Sequence, residues 1–302
     1  MSWLLFAILA YLFLAIVSLF DRYFLVGSIP NPKVYTFNVA ILFLFVALFL
    51  IPFGITLPSN NLIILGLIAG LIRIFAILFL TESIIKSEVS RVIPAIGGLL
   101  PIFSFLFFFF YFPQTGIFNI FQLVAFLLLI FGSVLISLEK FSLKIFTFRT
   151  LKYPILSAFL FALNFFLMKI LFLKADFISG FFLTLIGGGL GAIIFLAFSQ
   201  VRRNIFAQKI TPKISGFFVL GQAFGGLGII AQFYAIFLAK PGQVPLINAL
   251  EGTRYMFLLF FVFILAKKFP QILKEEISKK IILQKIMAIL IIGAGLAIIT
   301  FK

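Results

Sequence analysis

The chain reads as ten long apolar runs joined by short polar connections, and the runs fall into two groups of five. Their approximate bounds are 2–20, 34–52, 62–81, 92–112, 117–137, 154–173, 177–199, 215–238, 244–265 and 281–300. A run of about 20 apolar residues is long enough to cross the hydrocarbon core of a bilayer as a helix. Lipid offers no partners to backbone polar groups, so each run is expected to be helical. The alternating strands of a membrane barrel are not seen. The pattern predicts an all-α membrane protein with ten transmembrane helices.

The two groups also share sequence. Phe112-Pro113-Gln114 lies between runs four and five, and Phe269-Pro270-Gln271 lies between runs nine and ten. A shift of 155 residues brings Gly66, Gly70 and Ala76 onto Gly221, Gly225 and Ala231. A shift of 147 lays Ala15 over Ala162 and Arg22 over Lys169, and a shift of 161 lays Gly132 over Gly293. The matches keep a common order, and the changing shifts place insertions in loops. An odd number of spans per copy turns the second copy upside down, an arrangement that recurs in secondary transporters. The expected organisation is two inverted five-helix repeats, residues 1–150 and 151–302.

Composition narrows the class. The chain is 64% hydrophobic with a mean hydropathy of +1.31, and 11% of its residues are charged. The longest polar connections run to about 15 residues, which leaves no room for a soluble domain. The formal net charge of +16 is spread over short loops. It is read as contact with anionic headgroups and as a topology signal, not as a nucleic-acid surface. There is no Cys and no His, which removes disulfides, thiolate chemistry and imidazole sites. A proton-coupled mechanism would have to use a carboxylate. The first run lacks a basic leader and a small-residue cleavage site, so it is counted as a span and not as a signal peptide.

Of the 24 Lys and Arg residues, 18 lie in loops that follow odd-numbered runs. The opposite loops and end hold Lys169, Lys174, Lys240 and Lys302, while Arg73 and Arg254 fall within runs. The positive-inside rule then places the odd loops in the cytoplasm and both termini outside. The setting expected is a multi-pass protein of a bacterial-type cytoplasmic membrane. Lys274 to Lys280, with its mixed charge, is read either as a short surface helix or as a solvated basic turn.

Run six reads Ala162-Leu163-Asn164-Phe165-Phe166-Leu167-Met168-Lys169, with Asn five positions before Lys. Runs eight and nine are joined by Tyr234-Ala235 through Pro241-Gly242-Gln243-Val244-Pro245-Leu246, and Glu275-Glu276 precedes run ten. In these features the chain resembles the drug/metabolite transporter superfamily in its ten-helix EamA-like form. Val17 stands where the first copy of that pattern would carry Asn, and no Glu lies between runs four and five. The family arrangement would also put both termini inside, against the loop charge. The resemblance implies transport by two tandem five-helix repeats, with helices three, four, eight and nine around a central cavity.

Charged residues deep in a span face an interior or a cavity, since their insertion costs about 2.5–3.5 kcal/mol. Glu251 and Arg254 are three residues apart on run nine, and Asn248, Glu251 and Tyr255 share one helical stripe. Arg would hold a carboxylate or phosphate, and Glu an amine or a proton; an internal Glu–Arg pair is the structural alternative. Arg73 has no acid within four residues of it, so its partner must come from another helix; the resemblance, which puts helices three, four, eight and nine around the cavity, implies Glu251. Asn164, Gln222, Gln232 and Tyr234 are uncharged candidates, either for the ligand or for helix–helix contact. Gln232 and Tyr234, two apart, point in different directions. Glu82, Glu88 and Arg91 are expected at headgroup level. Gly221, Gly225 and Gly228 form a small-residue face, and Gly187 to Gly191 is either tight packing or a hinge.

The candidate substrate site is therefore Arg73, Asn164, Gln222, Gln232, Tyr234, Asn248, Glu251 and Arg254. The expected function is secondary transport of a small amino-acid-like or anionic metabolite. A flippase for a lipid or lipid-linked sugar is the alternative. No catalytic motif, metal cluster or cofactor loop is recognised, so an enzyme is not expected. The partners expected are the solute and the lipid bilayer, with a homodimer left open.

Overall fold

A computed structural model describes residues 2–86, 89–113, 118–137, 148–207, 212–265 and 279–301. All regular structure among the described residues is helical. The long helices are α1 (Ser2–Tyr23), α2 (Pro32–Leu50), α3 (Asn60–Lys86), α4 (Val89–Tyr111), α5 (Ile120–Ser137), α6 (Phe148–Phe172) and α7 (Phe177–Leu196). After a short α8 (Ser199–Ala207) come α9 (Pro212–Leu238), α10 (Val244–Ala249), α11 (Glu251–Leu265) and α12 (Lys279–Phe301). Seven helical segments among the described residues are long and apolar enough to cross a membrane, and Ile96–Tyr111 and Ile120–Leu135 are shorter apolar helices. This is the architecture of an all-α membrane protein.

Local chemistry sets the helix ends. Asn31 caps α2 by accepting from Lys33 N at 3.0 Å and Val34 N at 3.3 Å, with Pro32 in the first turn, where its missing N–H costs nothing. Asp176 caps α7, and Asn119 with Gln122 closes a reciprocal box before α5. At the other pole of α9, Lys169 Nζ donates to the carbonyls of Ile236, Phe237 and Ala239 at 3.1, 3.2 and 2.5 Å. These are carbonyls that a helix end leaves without partners, and a cation there also suits the helix dipole.

Several bounds differ from the sequence expectation: α3 runs on to Lys86, α6 begins at Phe148, and two further differences have a visible cause. The first run was expected to stop at residue 20, yet α1 reaches Tyr23 and continues as a π-helical stretch, Phe24–Ser28. The charged pair at its end does not break it, because Asp21 finds partners on other helices. The ninth run was expected to be one helix and is divided at Leu250 into α10 and α11. There Thr253 takes the Leu250 carbonyl with both its backbone N–H (2.8 Å) and its hydroxyl (2.7 Å), tightening the turn. Short α8 was not expected at all; Arg202 from it donates to Leu196 O and Ala197 O and closes the end of α7.

Small residues decide the packing, since apolar burial drives little association between helices in lipid. α1 lies antiparallel to α9, with Phe20, Val17 and Leu14 against Gly221, Gly225 and Gly228. α3 lies antiparallel to α6 and parallel to α7, where Gly66 and Gly70 meet Leu183, Thr184 and Gly188. A Cβ on Gly187 would lie 2.6 Å from Leu67 Cα, so the two backbones touch. α7 runs without a break through its glycines, which serve close approach to α2 and α3. α2 pairs with α7, α5 with α12, α4 with α6, and α1 with α11. The Lys274–Lys280 segment and the pair Glu275-Glu276 lie outside the described residues, as do Glu88 and the side chain of Arg91. Glu82 pairs with exposed Lys86 at 2.6 Å, near the end of α3.

Candidate substrate cavity

The helices surround a cavity of about 140 Å³, as swept by the centre of a water-sized sphere. That is room for roughly ten waters or one small organic solute. Its wall is mostly aliphatic and aromatic, with Phe43, Phe161, Phe165 and Phe181 among the rings. Its polar side chains are Asp21, Tyr35, Arg73, Thr81, Gln222, Gln232, Glu251 and Arg254.

Arg73 on α3 is 4% exposed. Its Nη1 donates to Asn164 Oδ1 at 3.2 Å, and Asn164 Nδ2 donates to Ala69 O at 2.8 Å. That second bond turns the amide oxygen toward the guanidinium. The faces of Phe233, Phe161 and Phe165 stand 4.8, 5.7 and 5.9 Å from its central carbon, within the range of cation–π attraction. Arg73 Nε has no hydrogen-bond partner. Glu251 was expected to pair with Arg73, and the structure gives that acid to Arg254 instead. Arg73 has no carboxylate partner among the described residues.

Glu251 opens α11, where the helix dipole favours a negative charge. Its Oε1 accepts from Arg254 Nη1 at 2.6 Å. The same guanidinium donates through Nε (3.1 Å) and Nη2 (2.7 Å) to Ser18 Oγ on α1, and Ser18 in turn donates to Leu14 O. The Asn248, Glu251 and Tyr255 stripe exists, but it faces α4. Asn248 Nδ2 donates to Ser104 Oγ at 2.8 Å, and Tyr255 and Glu251 border Gly97. Asn248 therefore stands outside the wall of this cavity. Tyr234 does too, packed edge-on against Phe6 and Phe177 at 4.7 and 5.1 Å. Gln232 lines the cavity, 3.5 Å from Tyr11 Oη, which itself donates to Ile247 O. Two positions apart on one helix, Gln232 and Tyr234 do point different ways.

Gln222 belongs to a group the sequence did not reveal. Tyr35 of α2 donates its hydroxyl proton to Asp21 of α1. Gln222 Nε2 of α9 donates to Tyr35 Oη at 2.7 Å and to Asp21 Oδ1 at 3.4 Å. Asp21 sits one residue past the expected end of the first run, beside Arg22, and so read as a loop residue. The signal that could have found it was the continuing apolar pattern of Phe24-Leu25-Val26.

No family model matches the chain, and no curated protein does. Thirteen chains of solved structures match it. One of them, described only as "Crystal structure of protein", superposes with a TM-score of 0.68 at 14% identity, covering 99% of this chain and 95% of its own. At that identity the likeness speaks for the fold, shared over nearly the full length of both chains.

Proposed function

We propose that this chain is a secondary transporter that carries a small anionic or amphoteric organic solute through the membrane by alternating access. The observation that carries this reading is Arg73: a guanidinium buried in the wall of a central cavity, with Phe rings on its faces and no carboxylate partner among the described residues. A buried cation without a counter-ion is costly, and a solute carboxylate or phosphate would offset that cost. The Glu251–Arg254 pair, one helix end away, offers a second charged contact for an amphoteric solute.

The ten-helix reading is the ten long segments with α10 and α11 counted as one. In it, helices 1 and 8 pair as 6 and 3 do, 4 and 6 as 9 and 1 do, while 2 with 7 and 5 with 10 pair with themselves under the exchange. This reciprocity supports two inverted repeats meeting at the cavity. We place both termini outside the cytoplasm, from the loop charges; a reporter fused after Lys302 and active only in the cytoplasm would refute that placement.

The test is uptake into proteoliposomes of a broad metabolite panel. Anionic or amphoteric solutes should move, and Arg73→Gln should lower their transport at least tenfold, in line with the loss of a charge-assisted contact worth about 1.5–3 kcal/mol. Equal transport by wild type, Arg73→Gln, Glu251→Gln and Arg254→Gln would remove these residues from the mechanism. A second reading, a lipid or lipid-linked sugar flippase, is favoured by the cavity wall along α9. There Ile230 both lines the cavity and is 37% exposed, and Gly226 has no neighbour within 4 Å of its missing side chain. Flipping of a fluorescent lipid in the same vesicles, without solute uptake, would decide for it.

A further inference from the structure

The two-fold exchange of helices relates the α3–α7 seam to the α2–α9 seam, and the two are built differently. The first is closed backbone to backbone by glycines. The second is looser: Gly225 of α9 is turned to Val17 of α1, and Gly226 meets nothing. What joins α2 to α9 is Tyr35, through its ring on Phe218 (5.5 Å between centroids) and its hydroxyl oxygen, which accepts from Gln222 Nε2. The hydroxyl donates its one proton to Asp21.

Among the described residues Asp21 is one of two acids in the cavity wall, and they differ in kind. Glu251 is held by Arg254 at 2.6 Å. Asp21 has no ion pair among the described residues; its hydrogen-bond partners there are the neutral Tyr35 and Gln222. The charged and titratable groups around it are Tyr35 from α2, Arg254 from α11, which acts on it through space, and Arg22 and Tyr23 next to it on α1; α9 offers Gln222. With no His in the chain, a proton in this cavity must sit on a carboxylate.

We propose that Asp21 is a proton-binding site that latches α2 to α9, and that its protonation loosens this seam. Ionised, Asp21 accepts from both Tyr35 and Gln222, and such bonds are roughly twice as strong as neutral ones. A proton taken from water at the cavity mouth neutralises the carboxyl and turns one oxygen into a donor. The Tyr35 hydroxyl then loses its charged acceptor, and the bond that its oxygen accepts from Gln222, the one that joins α2 to α9, weakens with it. Loss of the proton to water restores the latch. Coupling of this cycle to solute movement rests on the transport reading; the site itself does not.

The test uses the full chain in nanodiscs. In pH-difference infrared spectra, a protonated-carboxyl C=O band should rise on acidification in wild type and in Glu251→Gln, and be absent in Asp21→Asn. Tyr35→Phe keeps the carboxyl but removes a donor to its charged form, so the band should rise at higher pH. The chain has no Cys, so spin labels on Phe45→Cys and Leu220→Cys, both exposed, report the α2–α9 distance alone. That distance should lengthen on acidification in wild type and lose its pH dependence in Asp21→Asn. A band that survives Asp21→Asn, an unshifted band in Tyr35→Phe, or a distance that ignores pH in wild type would overturn the proposal. A panel that yields no uptake, beside a band and distance that follow Asp21, would refute transport and leave the proton site standing. Uptake without them would do the reverse.

Discussion

Gly70→Ala should loosen the α3–α7 crossing, and the structure sets the size of the effect. A Cβ at this position would lie 2.6 Å from Gly188 N and 2.9 Å from Thr184 C, with Thr184 O nearer still. Ordinary contacts at carbon begin near 3.5 Å, so the helices must part by roughly 1 Å. The obstacle is backbone on both sides and cannot rotate away. Overpacking of this kind costs about 1–3 kcal/mol, against a helix-propensity gain of up to about 1 kcal/mol for Ala over Gly. With the full propensity gain, the net expectation is a loss of about 0–2 kcal/mol. Gly226→Ala is the control: the same change, with nothing within 4 Å, keeps the propensity gain without the clash. The two variants should differ by about 2 kcal/mol in reversible SDS-driven unfolding in mixed micelles. If they unfold together, or if Gly70→Ala is the more stable, the close approach of α3 and α7 is wrong.

Three further outcomes are expected. Glu251→Gln alone should destabilise the fold by about 3–5 kcal/mol through the charge it strands on Arg254, whereas Glu251→Gln with Arg254→Gln should recover most of that, in the same unfolding assay. Lys169→Met should leave the Ile236, Phe237 and Ala239 carbonyls without their donor and cost about 1–3 kcal/mol, visible as faster hydrogen exchange at the end of α9. Burial pushes the Asp176 carboxyl up, but hydrogen bonds from Ser179 and Thr56 outweigh this and hold it below its ordinary 3.8. Its cap is therefore fully present above that pH and is lost as pH falls through the lowered value; Asp176→Ala should cost about 1 kcal/mol at pH 7 and nothing in strong acid.

Helix positions were legible because lipid forces each apolar run into a helix and leaves period and length as the signal. The contact face of α9 was legible for a related reason: Gly221, Gly225 and Gly228 can only be a surface that another helix reaches closely. The spacing that makes Glu251 and Arg254 neighbours on one helix was legible, with their pairing as the structural alternative to a partnership of Glu251 with Arg73. Contacts between helices were not legible. Arg73 meets Asn164 where an acid was expected, because which side chains converge depends on crossing angles that no local pattern encodes. Asn248 turned to Ser104 and Tyr234 to a ring cluster for the same reason. Asp21 was hidden by a boundary: a charge at the end of an apolar run reads as the end of the helix unless its partners, here on α2 and α9, are known.

Lys169 has a consequence for how the chain enters the membrane. It lies at the pole away from the basic loops, and among the loop charges it counts against the favoured orientation. With its ammonium wrapped by three carbonyls and only 3% exposed, it offers no charge to the headgroups of that leaflet. Its burden falls on biogenesis instead. In the orientation we propose from the loop charges, the ammonium crosses the bilayer before α9 has been synthesised, and it gains its three carbonyl acceptors only when α9 docks. Docking of α9 is thus the step that gives this cation its partners, and a chain lacking α9 would leave the Lys169 ammonium without its carbonyl acceptors.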